Sequence, residues 1–322
     1  MRVFVTRKIP EEGLKLLYQA GFEVEVFSED RAIPRELLLE KVTELDALLP
    51  LVTDSIDKQL LEQAPKLKIV ANFAVGYNNV DVATCTQKGI LVTNTPDVLT
   101  AATADQTMLL ILATARRLIE GDGMVREGRW EGWGPLQLLG LDVSAKALGL
   151  IGMGRIGEAV AKRAKGFDMQ IFYHNRNRNL EAEKRTGAIY VGLPTLLEQS
   201  DFVSIHTPLS PESHHLIGEK AFKRMKKTAI LINTARGPVV DEKALVKALT
   251  EGEIWGAGLD VFEREPLIEE ALLKLPNVVL APHLGSATLG ARGAMARLSA
   301  GSIIDYLQGK RPKHIVNPEV LA

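Results

Sequence analysis

Three short segments of the chain carry side chains suited to acid–base chemistry on a substrate that bears a carboxylate. Arg236 stands in INTARGPVVDE, Glu265 follows Asp260 and Glu263 in GLDVFEREP, and His283 stands in LAPHLGSAT. Each alone has an ordinary explanation, as a surface charge, a loop carboxylate or a hydrogen-bonded imidazole. Together they supply a guanidinium for a carboxylate, a titratable proton donor and an acid that orients the donor. That combination predicts the reduction of a 2-keto acid.

The elements that must position these segments form an alternating series of strands and helices. In an open parallel sheet, ligands bind outside the carboxyl ends of the strands, and the three segments stand at or near such ends. The alternation predicts a doubly wound parallel sheet. Its predicted strands are 148–151, 170–173, 202–205, 229–233, 256–260 and 278–280.

The first of these strands leads into three glycines with the spacing G-x-G-x-x-G and then into an amphipathic helical pattern. Gly152 suits the tight turn, Gly154 lets a pyrophosphate approach the backbone, and Gly157 lets the helix pack closely on the strand. The N-terminus of that helix offers free amides to phosphates. This stretch therefore predicts a dinucleotide site.

The second strand of the series ends in IFYHNRNRN, where a dinucleotide fold usually carries an acid for the ribose hydroxyl groups. Asn175 and Arg176 stand at that place, and Arg178 lies just beyond. A carboxylate would repel a 2′-phosphate, whereas an amide and a guanidinium can hydrogen-bond it. The pattern favours NADP(H), with NAD(H) as a possible cofactor; the alternative is a solvated basic turn.

The first hundred residues contain a second alternating series, which predicts another small parallel-sheet domain. Its strands are predicted at 2–6, 22–27, 47–51, 67–74 and 90–93, and the tail is helical from 288 to about 307. We therefore expect an α/β protein with two doubly wound domains and a cleft between them. One domain is discontinuous, 1–98 with 287–322, and the dinucleotide domain is 99–286.

Between the two series, apolar residues at helical spacing predict one long connecting helix over 99–119. The stretch 121–140 that follows is glycine-rich, lacks clear periodicity and carries apolar side chains, among them Trp130 and Trp133. It is either a loop packed on its own domain or an arm that contacts a second subunit. We favour the arm, because aromatic side chains on a surface usually mark interfaces.

Composition excludes several classes of function. The formal net charge of -1 provides no basic field for nucleic acid or an anionic membrane. Cys85 is the only cysteine, and no signal peptide or long apolar span is visible, so we expect a cytoplasmic protein. No cluster has metal-ligand spacing and no G-x-S-x-G motif suggests hydrolysis. Structural or surface roles are expected for His206, His214 and His215.

Several long motifs stand in order along the chain: ANFAVGYNNVD (71–81), GRWEGWGP (128–135), LGLIGMGRIGEAVAKRAKGFDM (148–169), HTPLSPESHHLI (206–217), INTARGPVVDEKAL (232–245), LDVFEREP and APHLGSAT. With these motifs the sequence resembles the D-isomer-specific 2-hydroxyacid dehydrogenases, most closely their glyoxylate/hydroxypyruvate reductase branch. The resemblance covers essentially the whole chain and is far more specific than the glycines alone.

The resemblance implies a Rossmann-type nucleotide domain inserted into a flavodoxin-like substrate domain, and a homodimer formed through the nucleotide domains. It makes Arg236 the residue that binds the substrate carboxylate and keto oxygen, His283 the acid/base and Glu265 its carboxylate partner. Substrate contacts are implied for Leu51, Val75, Gly76 and Trp133. The implied cofactor contacts, besides the three glycines, are Thr103, Arg155, Ile156, Asn175, Arg176, Asn177, Thr207, Pro208, Thr234, Ala235, Asp260 and Gly285.

The sequence thus leads to one preferred activity, an NADPH-preferring reduction of glyoxylate to glycolate and of hydroxypyruvate to D-glycerate. Within the same chemistry, 3-phosphoglycerate dehydrogenase or another D-2-hydroxyacid dehydrogenase is the alternative, although the tryptophan-bearing stretch fits the reductases better. A corepressor-like protein that senses dinucleotide without turnover is an alternative of another class. The presence of Arg236, Glu265 and His283 argues against it.

Overall fold

The computed structural model describes all 322 residues, which form two compact units. Unit 1 comprises Met1–Leu99 and Ala287–Ala322, and unit 2 comprises Thr100–Ser286, so unit 2 is inserted into the chain of unit 1. Each unit contains its own parallel sheet, with five strands in unit 1 and seven in unit 2. The predicted fold class, two doubly wound parallel-sheet domains, is confirmed. No helix is both long enough and apolar enough to cross a membrane.

Unit 1 begins with five strands that alternate with four helices. They are β1 (Arg2–Val5), α1 (Glu11–Gln19), β2 (Glu23–Val26), α2 (Arg35–Lys41), β3 (Ala47–Leu49), α3 (Lys58–Glu62), β4 (Ile69–Ala71), α4 (Val82–Gln87) and β5 (Leu91–Thr93). The sheet order is β2-β1-β3-β4-β5, the order of flavodoxin-like folds. Strands β3, β4 and β5 are buried along their whole length, as expected for short apolar runs in a parallel sheet covered on both faces.

Unit 2 contains seven strands and seven helices. They are α5 (Thr100–Ala115), α6 (Leu118–Arg126), β6 (Ala147–Ile151), α7 (Arg155–Ala164), β7 (Gln170–His174), α8 (Leu180–Thr186), β8 (Ile189–Tyr190), α9 (Leu193–Gln199), β9 (Phe202–Ile205), α10 (Glu219–Phe222), β10 (Ile230–Asn233), α11 (Glu242–Thr250), β11 (Gly256–Leu259) and β12 (Val278–Leu280). The sheet order is β12-β11-β10-β9-β6-β7-β8, so β6 and β9 flank the point where the chain reverses direction across the sheet. Ligands bind at such a point in doubly wound sheets. The two-residue strand β8 is too short to produce a sequence pattern.

The predicted continuous helix over 99–119 is wrong, because the chain turns at Arg117, whose φ of 53° is left-handed. The carbonyl of Ala115 accepts a hydrogen bond from the backbone N–H of Leu141 at 2.8 Å, and this contact helps to end α5. The next helix, α6, occupies the start of the stretch 121–140 that its glycines predict to be irregular. A contact from residues far along the chain therefore overrides the local periodicity.

The last helix, α12 (Leu289–Leu307), belongs to unit 1 and packs against α1. Its first turn is capped by the side chain of Thr288, which accepts a hydrogen bond from the N–H of Ala291 at 3.0 Å. The two helices approach closely at Gly13, where an added Cβ would lie 2.8 Å from the Cβ of Ala296. The C-terminal segment of the chain thus completes the fold of its first hundred residues.

Candidate active site

The turn between β6 and α7 places the three glycines in three different environments. Gly152 has a φ of +106°, and a Cβ there would lie 2.6 Å from the backbone of His206. A Cβ on Gly157 would collide with the carbonyl oxygen of Gly152, so the helix can pack this closely only on glycine. Gly154 has nothing within 4 Å and stands directly before the first turn of α7, whose N–H groups lack intrahelical partners. This turn fits the pyrophosphate of a dinucleotide.

The end of β7 holds the glycine turn through two asparagines. The side-chain oxygen of Asn175 accepts a hydrogen bond from the N–H of Met153 at 2.7 Å, and the side chain of Asn179 donates to the carbonyl of Met153 at 3.0 Å. The backbone N–H and the backbone carbonyl of Met153 are therefore both hydrogen-bonded. Sequence reasoning missed Asn179, although its place just before α8 is a typical helix-capping position.

The arginines after β7 differ in what they contact. Arg178 forms two hydrogen bonds with the carboxylate of Glu183, at 2.7 and 2.8 Å, and this contact contributes most to lowering the pKa of Glu183 to about 2. Arg176 and Asn177 are exposed. The hydrogen bond from Ser210 lowers the pKa of Glu212, and the charge of Arg176 lowers it further. Of the two arginines, only Arg176 has a guanidinium that is available to a ligand.

His283 and Glu265 form a hydrogen-bonded pair at the ends of β12 and β11. Nδ1 of His283 lies 2.8 Å from Oε2 of Glu265, and the other oxygen of Glu265 accepts the N–H of Phe262 at 3.0 Å. Burial opposes ionisation of Glu265, but its contacts with His283 outweigh that effect and hold the pKa of Glu265 below its usual range. The carboxylate is thus positioned to orient the imidazole and to stabilise its protonated form.

Arg236 follows β10, and the chain around it is fixed by Asn233. The Asn233 side chain donates to the carbonyl of Arg236 at 2.9 Å and accepts from the N–H of Ala235 at 3.0 Å. The guanidinium itself donates to the carbonyl of Ala235 at 2.7 Å. Burial lowers the pKa of Arg236, and the charge of Glu265 opposes that shift. A guanidinium group in a protein remains cationic at neutral pH.

Asp260, at the end of β11, binds the segment that carries His283. Its carboxylate accepts the N–H groups of Leu284 at 2.7 Å and Gly285 at 2.8 Å, and its backbone carbonyl accepts the N–H of His283 at 2.9 Å. The side chain is 1% exposed, and burial raises its pKa. Asp260 therefore supports the segment that carries His283. The cofactor contact that the sequence assigns to it stays a prediction.

Helix α5 supports the same segment from a second direction. The hydroxyl of Thr103 donates to the carbonyl of Gly285 at 3.1 Å, and the hydroxyl of Thr107 lies 2.9 Å from that of Thr234. Sequence reasoning missed Thr107, which lies one helical turn after Thr103 and accordingly faces the same way. These contacts bring Thr103, Thr234 and Gly285, three of the sequence-predicted cofactor residues, into one cluster.

The loop after β9 carries Thr207 and Pro208 beside the glycine turn. The preceding His206 places Nε2 2.9 Å from the hydroxyl of Ser204. Burial lowers the pKa of His206 to about 3, so its imidazole is neutral at physiological pH. A neutral imidazole bound to a strand serine agrees with the structural role expected for it.

In unit 1, Val75 and Gly76 lie on a loop that follows β4. The side chain of Asn94 donates to the carbonyl of Val75 at 2.7 Å, and the side chain of Asn72 donates to the carbonyl of Gly76 at 2.9 Å. Leu51 is held in a similar way, since its carbonyl accepts from Asn79 at 3.1 Å. Asparagine side chains thus fix three backbone positions that the sequence assigns to substrate. Sequence reasoning missed all three asparagines.

The stretch that carries the tryptophans exposes much of its apolar surface. Trp133 is 83% exposed and Leu136 is 81% exposed, and no residue of α6 is buried. An open groove along α6, within unit 2, is lined by several apolar side chains, among them Ile119, Met124 and Leu275. An exposed apolar surface of this kind marks an interaction site more often than a bare solvent face.

Three comparisons identify relatives of the chain. Residues 108–285 match the model of the "D-isomer specific 2-hydroxyacid dehydrogenase, NAD binding domain". The chain is 56% identical to a glyoxylate reductase of Thermococcus litoralis, over 99% of this chain and 98% of that protein. It superimposes on a crystal structure from Thermus thermophilus with a TM-score of 0.93 and 45% identity, over 98% of this chain and 100% of the other.

A second solved structure, an NADPH-dependent glyoxylate/hydroxypyruvate reductase of Sinorhizobium meliloti in complex with NADP and malonate, is also similar. It is 34% identical with a TM-score of 0.86, over 99% of this chain and 97% of that chain. The matched domain and the doubly wound sheets define an oxidoreductase that uses a nicotinamide dinucleotide. The chain belongs to the D-isomer-specific 2-hydroxyacid dehydrogenase family, in its glyoxylate reductase branch, which confirms the resemblance noted from the sequence.

Proposed function

We propose that this protein is an NADPH-preferring reductase of small 2-keto acids, which converts glyoxylate to glycolate and hydroxypyruvate to D-glycerate. The observation that carries the proposal is the His283–Glu265 pair, 2.8 Å apart, at the ends of two neighbouring strands. The glyoxylate reductases that are 52–56% identical over nearly the whole chain support the choice of substrate.

In the proposed reaction, the cofactor supplies hydride to the keto carbon. His283 uses Nδ1 for Glu265, so Nε2 is the nitrogen that donates a proton to the developing alkoxide. Glu265 stabilises the protonated imidazole before that transfer. Arg236 offers a planar pair of N–H donors that binds a carboxylate better than lysine would. Further substrate contacts are predicted, from the resemblance, for the backbone amides of Val75 and Gly76 and for Leu51.

The preference for NADPH is proposed from the end of β7. Asn175 keeps its amide group for a ligand because only its side-chain oxygen is bound to Met153, and the guanidinium of Arg176 is exposed. Neither residue would repel a 2′-phosphate as an acid would. The Sinorhizobium meliloti reductase, named as NADPH-dependent and crystallised with NADP, supports this choice. The other proposed cofactor residues are the three glycines, Thr103, Arg155, Ile156, Asn177, Thr207, Pro208, Thr234, Ala235, Asp260 and Gly285.

We further propose that the protein is a homodimer and that Trp133 reaches the substrate site of the second subunit. The support is the apolar stretch itself, since Trp133 and Leu136 are each more than four-fifths exposed within one chain. A second copy of unit 2 would cover this surface and the groove beside it. Burial of two such side chains would contribute several kcal/mol, about 1.5–3 for each large apolar group.

One experiment tests the function directly: initial rates of NADPH and NADH oxidation with glyoxylate, hydroxypyruvate, pyruvate and phosphohydroxypyruvate. We expect the highest kcat/KM with glyoxylate or hydroxypyruvate and NADPH. Preference for phosphohydroxypyruvate would replace the proposal with a phosphoglycerate dehydrogenase. Tight dinucleotide binding without turnover of any keto acid would instead indicate a sensor.

A further inference from the structure

A second carboxylate, remote from the proposed proton transfer, holds the segment that carries Glu265. Glu242, the first residue of α11, is only 5% exposed, and its Oε1 accepts the backbone N–H of Glu263 at 2.6 Å. Glu263 reciprocates, since its Oε2 lies 3.3 Å from the N–H of Glu242. The N-terminus of α11 and the segment after β11 are thus joined by two backbone–carboxylate contacts.

These contacts act on the turn that contains Glu265. Glu265 binds the N–H of Phe262, and Glu242 binds the N–H of the next residue, Glu263, so two consecutive amides are held by carboxylates. The backbone after Arg236 lies directly against the same peptide, because a Cβ on Gly237 would collide with the carbonyl group of Phe262. The position of Glu265 relative to Arg236 therefore depends on this junction.

Helix capping does not account for Glu242. The cap of α11 is Asp241, whose side chain accepts the N–H of Ala244 at 3.0 Å. A buried carboxylate is costly unless its hydrogen bonds are satisfied, and Glu242 lies beside two other acids, Glu263 and Glu269. On the far side, Nε2 of His215 lies 2.9 Å from Oε1 of Glu263.

We propose that Glu242 is a positioning residue for the acid–base pair: it fixes the peptide of Glu263 and thereby the distance from Glu265 to His283 and Arg236. The kinetic part of this inference rests on the proposed reductase activity. A displacement of the order of 1 Å at a reacting group can lower the rate about 100-fold, so a buried contact of this kind would affect catalysis without touching substrate.

The test compares Glu242→Met, which keeps the side-chain length but has no oxygen acceptor, with Glu242→Gln, which retains one. Glu251→Met removes an exposed carboxylate at the other end of α11 and serves as the matched control. We expect Glu242→Met to lower kcat about 10- to 100-fold, because the acid–base pair is displaced. The Kd for NADPH should change less than twofold, and Glu242→Gln should recover most of the rate.

Amide hydrogen exchange over residues 262–265 provides a readout that does not depend on turnover. Exchange should be at least tenfold faster in Glu242→Met than in the wild type or in Glu251→Met. Unchanged exchange would overturn the inference, and so would faster exchange with an unchanged kcat, which indicates a role in stability alone. If Glu242→Met does not fold, Glu242→Asp shortens the reach and keeps the charge; wild-type exchange and kcat in that variant would equally overturn it. Absence of wild-type turnover would refute the proposed function but leave the exchange test intact.

Discussion

The turn between β6 and α7 and the segments after β10, β11 and β12 reach their shapes by different means. The turn is closed by a local contact, because Gly157 packs on Gly152 only five residues earlier, and more distant residues such as Asn175 then support it. The later segments depend on distant partners: Glu265 lies 18 residues from His283, and Thr103 lies 182 residues from Gly285. A local motif is therefore recognisable from spacing, whereas an assembled site is recognisable only from residue types that suit one reaction.

The comparison predicts that the largest kinetic effect comes from the assembled region. His283→Ala should lower kcat by roughly 10²- to 10⁴-fold, because the proton donor is lost. The Kd for NADPH, measured by fluorescence, should change little, since the glycine turn is untouched. His214→Ala, which removes an exposed imidazole, is the control. Wild-type turnover in His283→Ala would remove His283 from the proposed mechanism.

A second prediction separates two arginines at the edge of the glycine turn. Arg176→Ala should weaken NADPH binding by about 1.5–3 kcal/mol and leave NADH binding nearly unchanged, because only the 2′-phosphate contact is lost. Arg178→Ala should change neither affinity much, since Arg178 is paired with Glu183. Titration of each variant with NADPH and with NADH measures both affinities. An equal loss for NADPH and NADH in Arg176→Ala would contradict the phosphate assignment.

A third prediction separates the glycine that is needed for packing within the turn from the glycine that faces the cofactor. Gly157→Ala should cost about 1–3 kcal/mol of unfolding free energy, because the new methyl group collides with Gly152. Gly154→Ala meets open space and should leave stability within about 0.5 kcal/mol, yet weaken NADPH roughly tenfold. Urea unfolding and cofactor titration separate the two. Gly166→Ala, another glycine with open space, controls for the added side chain.

The exposed stretch around Trp133 belongs to neither region, and a substitution there should change the kinetics less. Trp133→Ala is expected to raise the KM for glyoxylate about fivefold, which corresponds to ~1 kcal/mol, if the side chain completes the site of a second subunit. Leu180→Ala removes an exposed apolar group elsewhere in unit 2 and should change nothing. Sedimentation of both variants reports assembly. An unaltered KM together with an unaltered oligomeric state would favour a loop packed on its own domain.

The smallest predicted effect concerns the stability of the assembled pair. Because the folded pKa of Glu265 is lowered, its ionised form stabilises the fold above the ordinary carboxyl range, and this contribution is lost as the pH falls through the lowered pKa. Both side chains are about one-third exposed, so we expect only ~0.5 kcal/mol. Unfolding of the wild type and of Glu265→Gln from pH 7 to about pH 3 should converge at the acid end. A constant difference across this range would contradict the assignment.

Much of the fold was predictable, because buried parallel strands are short apolar runs and the helices between them are periodic. The failures have physical causes. The helix over 99–119 breaks at Arg117, where the N–H of Leu141 binds the carbonyl of Ala115, and no local pattern reveals that contact. Strand β8, with only two residues, was missed because a pair of residues has no periodicity.

The candidate site shows the same division among individual residues. The residue types of Arg236, Glu265 and His283 suggest their chemistry, since a keto acid needs a carboxylate partner and a proton donor. The supporting residues gave no such signal: Asn233, Thr107 and Glu242 are ordinary in sequence and become important through the single backbone or side-chain group that each one contacts.

The sequence by itself determined the two alternating series, the glycine turn and the side chains able to perform the reaction, because periodicity, turn geometry and acid–base chemistry are properties of residues and their spacing. Only the tertiary structure decided which of those side chains meet. It paired His283 with Glu265, bound Asp260 to the segment that carries His283 and bound Arg178 to Glu183. The physical reason is that hydrogen bonds require distances near 3 Å, and chain folding alone brings distant residues that close.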